Sequence, residues 1–226
     1  MIQMQRITMF LLLCAVLACT KNPSAGDLLD TTVHAITSAD TIRTFITEAD
    51  CVGPKGTYTT VLHSGPDYTY FKQTYSYSDN SFEAVIINDS AFQLVNDSIS
   101  GALDKEIITA LKSHEFHMIL IDLKERFHQF SVPEYLSNQI KIDALDELNN
   151  PIAIYIGKGS PEIQSITMRN PGDTTELISF SYSDWRMNQG VKLPMHVTIQ
   201  QGGDKTFTFD FTKVEMNSKS FKRWGE

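Results

Sequence analysis

Lys205-Thr206-Phe207-Thr208-Phe209-Asp210-Phe211-Thr212-Lys213-Val214-Glu215 is the stretch on which the fold class turns. Phe207, Phe209 and Phe211 point one way, and Thr206, Thr208 and Asp210 the other. A period of two describes a strand with one buried and one wet face, the habit of antiparallel sheets.

Working back from this strand, further segments end in turn residues. Val191–Gln200, Glu176–Tyr182, Glu162–Met168, Pro151–Ile156 and Gln139–Ala144 read as strands. Gly202-Gly203-Asp204, Asn188-Gln189-Gly190, Pro171-Gly172, Gly157 with Gly159, and Asp146 to Asn150 punctuate them. The first half repeats the pattern in Thr41–Cys51, Thr57–His63, Tyr68–Tyr77, Phe82–Ile87 and Ala91–Val95. Turns this close together predict a meander.

Two stretches have a helical period. Asp27 to Thr37 spaces Leu28, Leu29, Val33 and Ile36 for one short helix, with Asp27 as its N-cap. From Asp104 to Phe130, Phe116, Ile119, Leu120, Leu123, Phe127 and Phe130 form an amphipathic stripe. An earlier piece carries Ile107, Ile108 and Leu111, with a bend near Ser113 and a stop at Pro133. The expected fold is mainly β (α+β), a curled antiparallel sheet or incomplete β-barrel of about eleven strands. The N-terminal helix precedes it, and the helical insert after the fifth strand closes its concave face.

The first residues have another role. Arg6 and the amine precede an apolar run, Ile7 to Leu17, which is shorter than the roughly 20 residues of a membrane span. Val16-Leu17-Ala18-Cys19 resembles the lipobox of bacterial lipoproteins. The resemblance implies a signal peptide over 1–18, lipid on Cys19, and a flexible tether over 19–26 leading to one domain, 27–226. Several acyl chains hold a protein on a bilayer because methylene burial adds up at about 0.8 kcal/mol each.

Without residues 1–18 the chain carries 18 basic and 27 acidic side chains. That balance argues against nucleic acid and against polybasic attachment to lipid. With Cys14 removed and Cys19 lipidated, Cys51 has no partner, so no disulfide supports the fold and Cys51 is expected as a small buried hydrophobe. No catalytic motif, metal-ligand spacing or cofactor signature is present. His114 and His117 lack the i, i+4 zinc spacing, and His128 lies eleven residues on, about 16 Å along a helix. They read as part of a solvated helix face with Lys124 and Glu125.

The order of elements is similar to the LolA and LolB lipoprotein-carrier family. Asp146-Glu147-Leu148-Asn149-Asn150-Pro151, Tyr182-Ser183-Asp184-Trp185-Arg186, Gly190-Val191-Lys192-Leu193-Pro194 and Asn217 carry the local resemblance. It implies a half-barrel with an apolar cavity for acyl chains. Cys19 makes the chain more like the anchored receptor than the soluble carrier. Gly65, not a basic residue, precedes Pro66 here, which departs from the carrier.

The expected function is therefore non-enzymatic binding of a lipid, acyl chain or lipoprotein by a lipid-anchored protein of the bacterial cell envelope, with the outer membrane, on its periplasmic or surface face, as the expected address. The expected lining is Phe45, Tyr58, Tyr70, Phe82, Phe116, Leu120, Phe180 and Phe209. The competing expectation is an interaction lipoprotein with a filled core. A hydrolase or glycan binder ranks third, because no polar side chains are picked out for a cleft.

Overall fold

The computed structural model describes residues 22–37, 42–78, 80–88, 90–170 and 173–225. Helix α1 (Ala25–Ile36) comes first. Strands β1 (Phe45–Gly53), β2 (Gly56–Gly65), β3 (Tyr68–Tyr75), β4 (Ser81–Ile87), β5 (Ser90–Val95) and β6 (Ser98–Ala102) follow. Helices α2 (Lys105–Lys112), α3 (Phe116–Ile121) and α4 (Leu123–Arg126) form the insert. The chain returns through β7 (Glu134–Tyr135), β8 (Gln139–Leu145), β9 (Pro151–Gly157), β10 (Ile163–Asn170), β11 (Asp173–Asn188), β12 (Val191–Gln201) and β13 (Lys205–Met216).

All 13 strands belong to one antiparallel sheet in the order β6-β5-β4-β3-β2-β1-β13-β12-β11-β10-β9-β8-β7. Two meanders grow outward from the central β1–β13 pair, where Cys51 faces Phe209 and Ala49 faces Phe211. Pairing of β6 with β7 would close a barrel. The helical insert joins these two edges in sequence instead, and the sheet remains an incomplete, curled barrel.

The expected strand count of about eleven falls short by two. Ser98–Ala102 has a single large apolar residue and every position exposed, so no alternation marks it. β7 is only two residues long. The insert consequently follows the sixth strand, not the fifth.

The helices also differ in detail from the sequence reading. Ser24, not Asp27, caps α1: its hydroxyl accepts from the Asp27 N–H at 3.2 Å, and the Asp27 carboxylate accepts from the Ser24 N–H at 3.0 Å. This reciprocal box satisfies donors that a helix start leaves open. Ala25 and Gly26 are thus helical and do not belong to a tether. The long stripe breaks into α3 and α4 at Asp122, and Phe127 is extended at φ −125° and ψ 147°. The cause is competition from the sheet edge. His128 and Leu145 exchange two backbone hydrogen bonds at 2.9 Å, and Ser131 N–H donates to Asp143 C=O at 2.8 Å. The helix therefore ends well before Pro133.

Alternation fixes the faces. The concave side of β8–β10 is an isoleucine wall, with Ile142, Ile154, Ile163 and Ile166 fully buried. Leu120 and Leu123 of the insert and Leu29 of α1 are buried in the same cluster. A second concave cluster holds Leu62, Phe71, Ala84, Ile86 and Ala91 against Leu111 of α2. A third lies on the convex side, where Phe221 and Trp224 of the C-terminal segment cover Tyr68, Val85 and Leu94. There the Tyr68 hydroxyl accepts from the Trp224 N–H at 2.7 Å.

Candidate functional site

A cavity of about 430 Å³ lies where α2 crosses between the two halves of the sheet. β2–β4 supply Tyr58, Phe71 and Phe82, and β10–β13 supply Ile178, Phe180, Ile199 and Phe209. α2 closes the site with Ile107, Ala110 and Leu111, and Ser113 follows it. Strand alternation explains the selection. Tyr58, Phe71 and Phe82 share the concave side through the pairs Cys51–Tyr58, Leu62–Phe71 and Gln73–Phe82.

Rings frame this cavity. Tyr58 meets Phe209 edge-on at 6.2 Å, Phe71 and Phe82 lie 6.4 Å apart, and Phe209 packs on Phe116 at 5.0 Å. The Tyr58–Phe209 and Phe116–Phe209 pairs are edge-to-face, a favoured arrangement of aromatic rings, and Phe71–Phe82 is tilted. His114 sits among them, 5.4 Å from Phe71 and 5.7 Å from Phe209, with its Nδ1–H donating to Ala110 C=O at 2.7 Å. Burial lowers the His114 pKa and raises that of Tyr58, so the inner wall is uncharged at neutral pH. Gln73, Glu106 and Gln201 bring polar groups to its margin. Its lining is mostly apolar, and Glu106 is the carboxylate at its margin.

Four of the eight expected lining residues, Tyr58, Phe82, Phe180 and Phe209, meet at this cavity. Phe45, Phe116 and Leu120 instead belong to the filled centre of the concave face. Phe45 stacks on His117 at 5.8 Å, Phe116 touches Phe180 and Phe211, and Leu120 has no exposure. Tyr70 lies on the convex side, next to Phe71 in a strand that alternates, and meets His63 at 5.4 Å. Its aromatic character suggested the cavity, but its position in the alternation excludes it. Cys19 falls outside the described residues. Ile107, Ala110 and Ser113 were not expected; their only signal was the amphipathic spacing of α2.

The expected solvated histidine face is also corrected. His117 is buried, and its Nε2–H donates to Pro194 C=O at 2.9 Å. Desolvation takes its pKa down to about 4. His128 lies beyond the helices, in the segment paired with β8. The break at Ser113–Glu115 turns α3 relative to α2, which removes the common polar side that one continuous helix would present. Cys51 is a buried thiol, as expected, and burial pushes it up to about 12, far from thiolate reactivity. Among the described residues no group of three His, Cys, Asp or Glu is placed to hold a metal ion.

Two larger cavities adjoin the insert. One, of about 590 Å³, lies along α2 and includes Leu103, Ile108, Ile119, Phe127 and Met168. The other, of about 810 Å³, is polar and lies between α1, the β2–β3 turn and α3–α4. Glu115 is buried at its wall, accepting hydrogen bonds from the Thr69 hydroxyl and the Arg126 guanidinium. This network ties the insert to β3.

Comparison with known proteins places the fold. No protein-family model matches the chain, and no curated protein matches it. Among solved structures, a LolA superfamily protein from Nitrosomonas europaea superimposes with a TM-score of 0.59 at 9% identity, covering 87% of this chain and 94% of that one. A domain ascribed to outer-membrane lipoprotein sorting in Vibrio parahaemolyticus gives 0.54 at 6% identity, covering 86% and 93%. A DUF1329 family protein from Desulfovibrio piger gives 0.55 at 10% identity, covering 85% and 92%. The chain has the LolA-like half-barrel fold. At these identities the likeness is one of fold.

Proposed function

We propose that this is a lipid-anchored, non-enzymatic protein of the bacterial envelope that binds an acyl chain, lipid or lipoprotein in the cavity beside α2. The observation that carries the reading is the ring-framed, mostly apolar cavity shared by both halves of the half-barrel, with Glu106 only at its margin. The similar solved structures support it, since two bear the names of LolA-type and lipoprotein-sorting proteins. The lipobox resemblance supplies the anchor. Only five residues separate Cys19 from α1, a reach of at most roughly 20 Å. The domain therefore works against the bilayer, with the outer membrane as the favoured address.

Native mass spectrometry with lipid extraction tests this. A co-purifying lipid is expected, and Ala110→Trp, which puts an indole into the cavity, should abolish it while the melting temperature stays near wild type. Absence of lipid and of fatty-acid binding in the wild type would refute the reading. The filled centre around Phe116 and Leu120 favours a second reading, an interaction lipoprotein. A stable crosslinked protein partner in cells, with no bound lipid, is its signature.

A further inference from the structure

After β13 the chain reads Asn217-Ser218-Lys219-Ser220-Phe221-Lys222-Arg223-Trp224. This segment holds three cations and no acid. The remainder of the chain from Cys19 onward has 15 basic against 27 acidic side chains. The overall balance argues against attachment to lipid by charge, yet the charge is unevenly spread.

The segment is a fastened part of the fold. Asn217 N–H donates to Thr44 C=O at 3.0 Å, and the Asn217 side-chain oxygen accepts from the Arg43 N–H at 2.9 Å. Phe221 N–H closes a turn on Ser218 C=O at 3.1 Å. The Lys222 main chain is hydrogen-bonded to the His63 ring, and Trp224 N–H reaches the Tyr68 hydroxyl at 2.7 Å. Phe221 and Trp224 pack down onto the convex cluster, and Lys219, Lys222 and Arg223 are left exposed.

Lys219 and Lys222 have no ion-pair partner among the described residues. Arg223 lies over the Tyr68 ring, 5.8 Å from its centre. The Arg43 main chain runs beside the segment: a Cβ placed on Gly65 would meet both the Arg43 carbonyl and the Phe221 ring at 3.4 Å. Half-buried Tyr70 and Phe92 extend the same surface with rings.

We infer that this convex surface around Phe221 and Trp224 docks on a bilayer of anionic phospholipid and sets the orientation of the domain against it. Charge complementarity selects the partner. The fixed cations meet lipid phosphates, and the attraction acts within a Debye length, so charges held at the contact count most. Amphipathic Tyr and Trp rings are favoured at the depth of the headgroups. An acyl anchor alone would keep the domain near the membrane but leave it free to turn. The acidic remainder is repelled by an anionic surface, which makes this patch the side that faces it. The docking adds to the anchor of the proposed function and does not depend on acyl binding in the cavity.

The full chain with Trp185→Phe, in which Trp224 is the remaining tryptophan, tests this in vesicles that contain a headgroup-nitroxide lipid. Flotation with phosphatidylcholine vesicles reports the anchor, and quenching of Trp224 reports the patch. Quenching should be at least about twofold stronger when phosphatidylglycerol replaces part of the phosphatidylcholine. High salt should erase the gain. Lys219→Gln with Lys222→Gln should erase it too, at an unchanged melting temperature, since both side chains are exposed. Equal quenching in the two kinds of vesicle, or a gain that the double variant keeps, overturns the docking and leaves the anchor standing. Flotation with the phosphatidylglycerol vesicles alone keeps the docking and removes the anchor, and flotation with neither overturns both. A photocrosslinker at position 222 that captures a protein in cells and no lipid also overturns the docking, in favour of an acidic protein partner.

Discussion

The two halves of this sheet are built alike and filled differently. Strands β8–β10 carry fully buried isoleucines on the concave side, packed against α1, α3 and α4 in one large cluster. The concave side of strands β2–β5 packs mainly on α2, through a smaller cluster around Leu111, with Glu115 reaching Thr69 of β3, and β6 beyond them is exposed throughout. The cavity beside α2 lies at the seam between a filled half and a thinly covered one. A closed core leaves no room for a ligand, and a bare sheet gives no enclosure. The seam supplies both walls, which is why it is the place to look for binding.

The contrast can be attacked at the contact that crosses it. Arg126→Met strips Glu115 of its cation while the carboxylate stays buried beside Thr69, and should cost about 3–5 kcal/mol. Denaturant melts read this loss, and pairing the change with Glu115→Gln should recover much of it. Ile154→Ala, in the filled half, should cost about 2–5 kcal/mol, whereas Ile99→Ala on exposed β6 should stay within about 0.5 kcal/mol. Equal costs would remove the distinction between the halves.

His117 provides a pH test of the filled half. It is stacked against Phe45 and Phe211 and donates to Pro194 C=O, so burial keeps it neutral and takes its pKa from 6.5 down to about 4. The unfolded chain protonates at the ordinary value. Stability is therefore full above about pH 6.5 and declines as the pH falls, by up to about 3 kcal/mol on reaching pH 4. His117→Phe should flatten melts across that window, at the expense of an unpaired Pro194 carbonyl. Among the changes expected to destabilise, the mildest belongs to α1, where Ser24→Ala should cost about 1 kcal/mol by removing the capping box.

How far the sequence discloses this arrangement depends on how each element is encoded. Phe207, Phe209 and Phe211 announce their face because alternation is local and strict. Ser98–Ala102 announces nothing, because an exposed edge strand has no apolar side to mark it. The stripe from Phe116 to Phe130 has helical spacing throughout, yet His128 and Ser131 form hydrogen bonds with β8, a partner remote in sequence. Tyr70 shows that residue type without phase misplaces a side chain, since Phe71 beside it takes the concave side. At the site, Tyr58, Phe82, Phe180 and Phe209 were legible as large rings on strands. Ala110 and Ser113 were not, because small residues reveal a cavity only once the surrounding walls are known.

The claim that the seam binds an apolar chain is tested most directly by methyl NMR of the protein titrated with palmitate. The account predicts that shifts concentrate on Ile107, Ala110, Ile178 and Ile199, while Ile142, Ile154 and Ile166 stay in place. Shifts centred on the isoleucine wall, or no shifts at saturating palmitate, would contradict it.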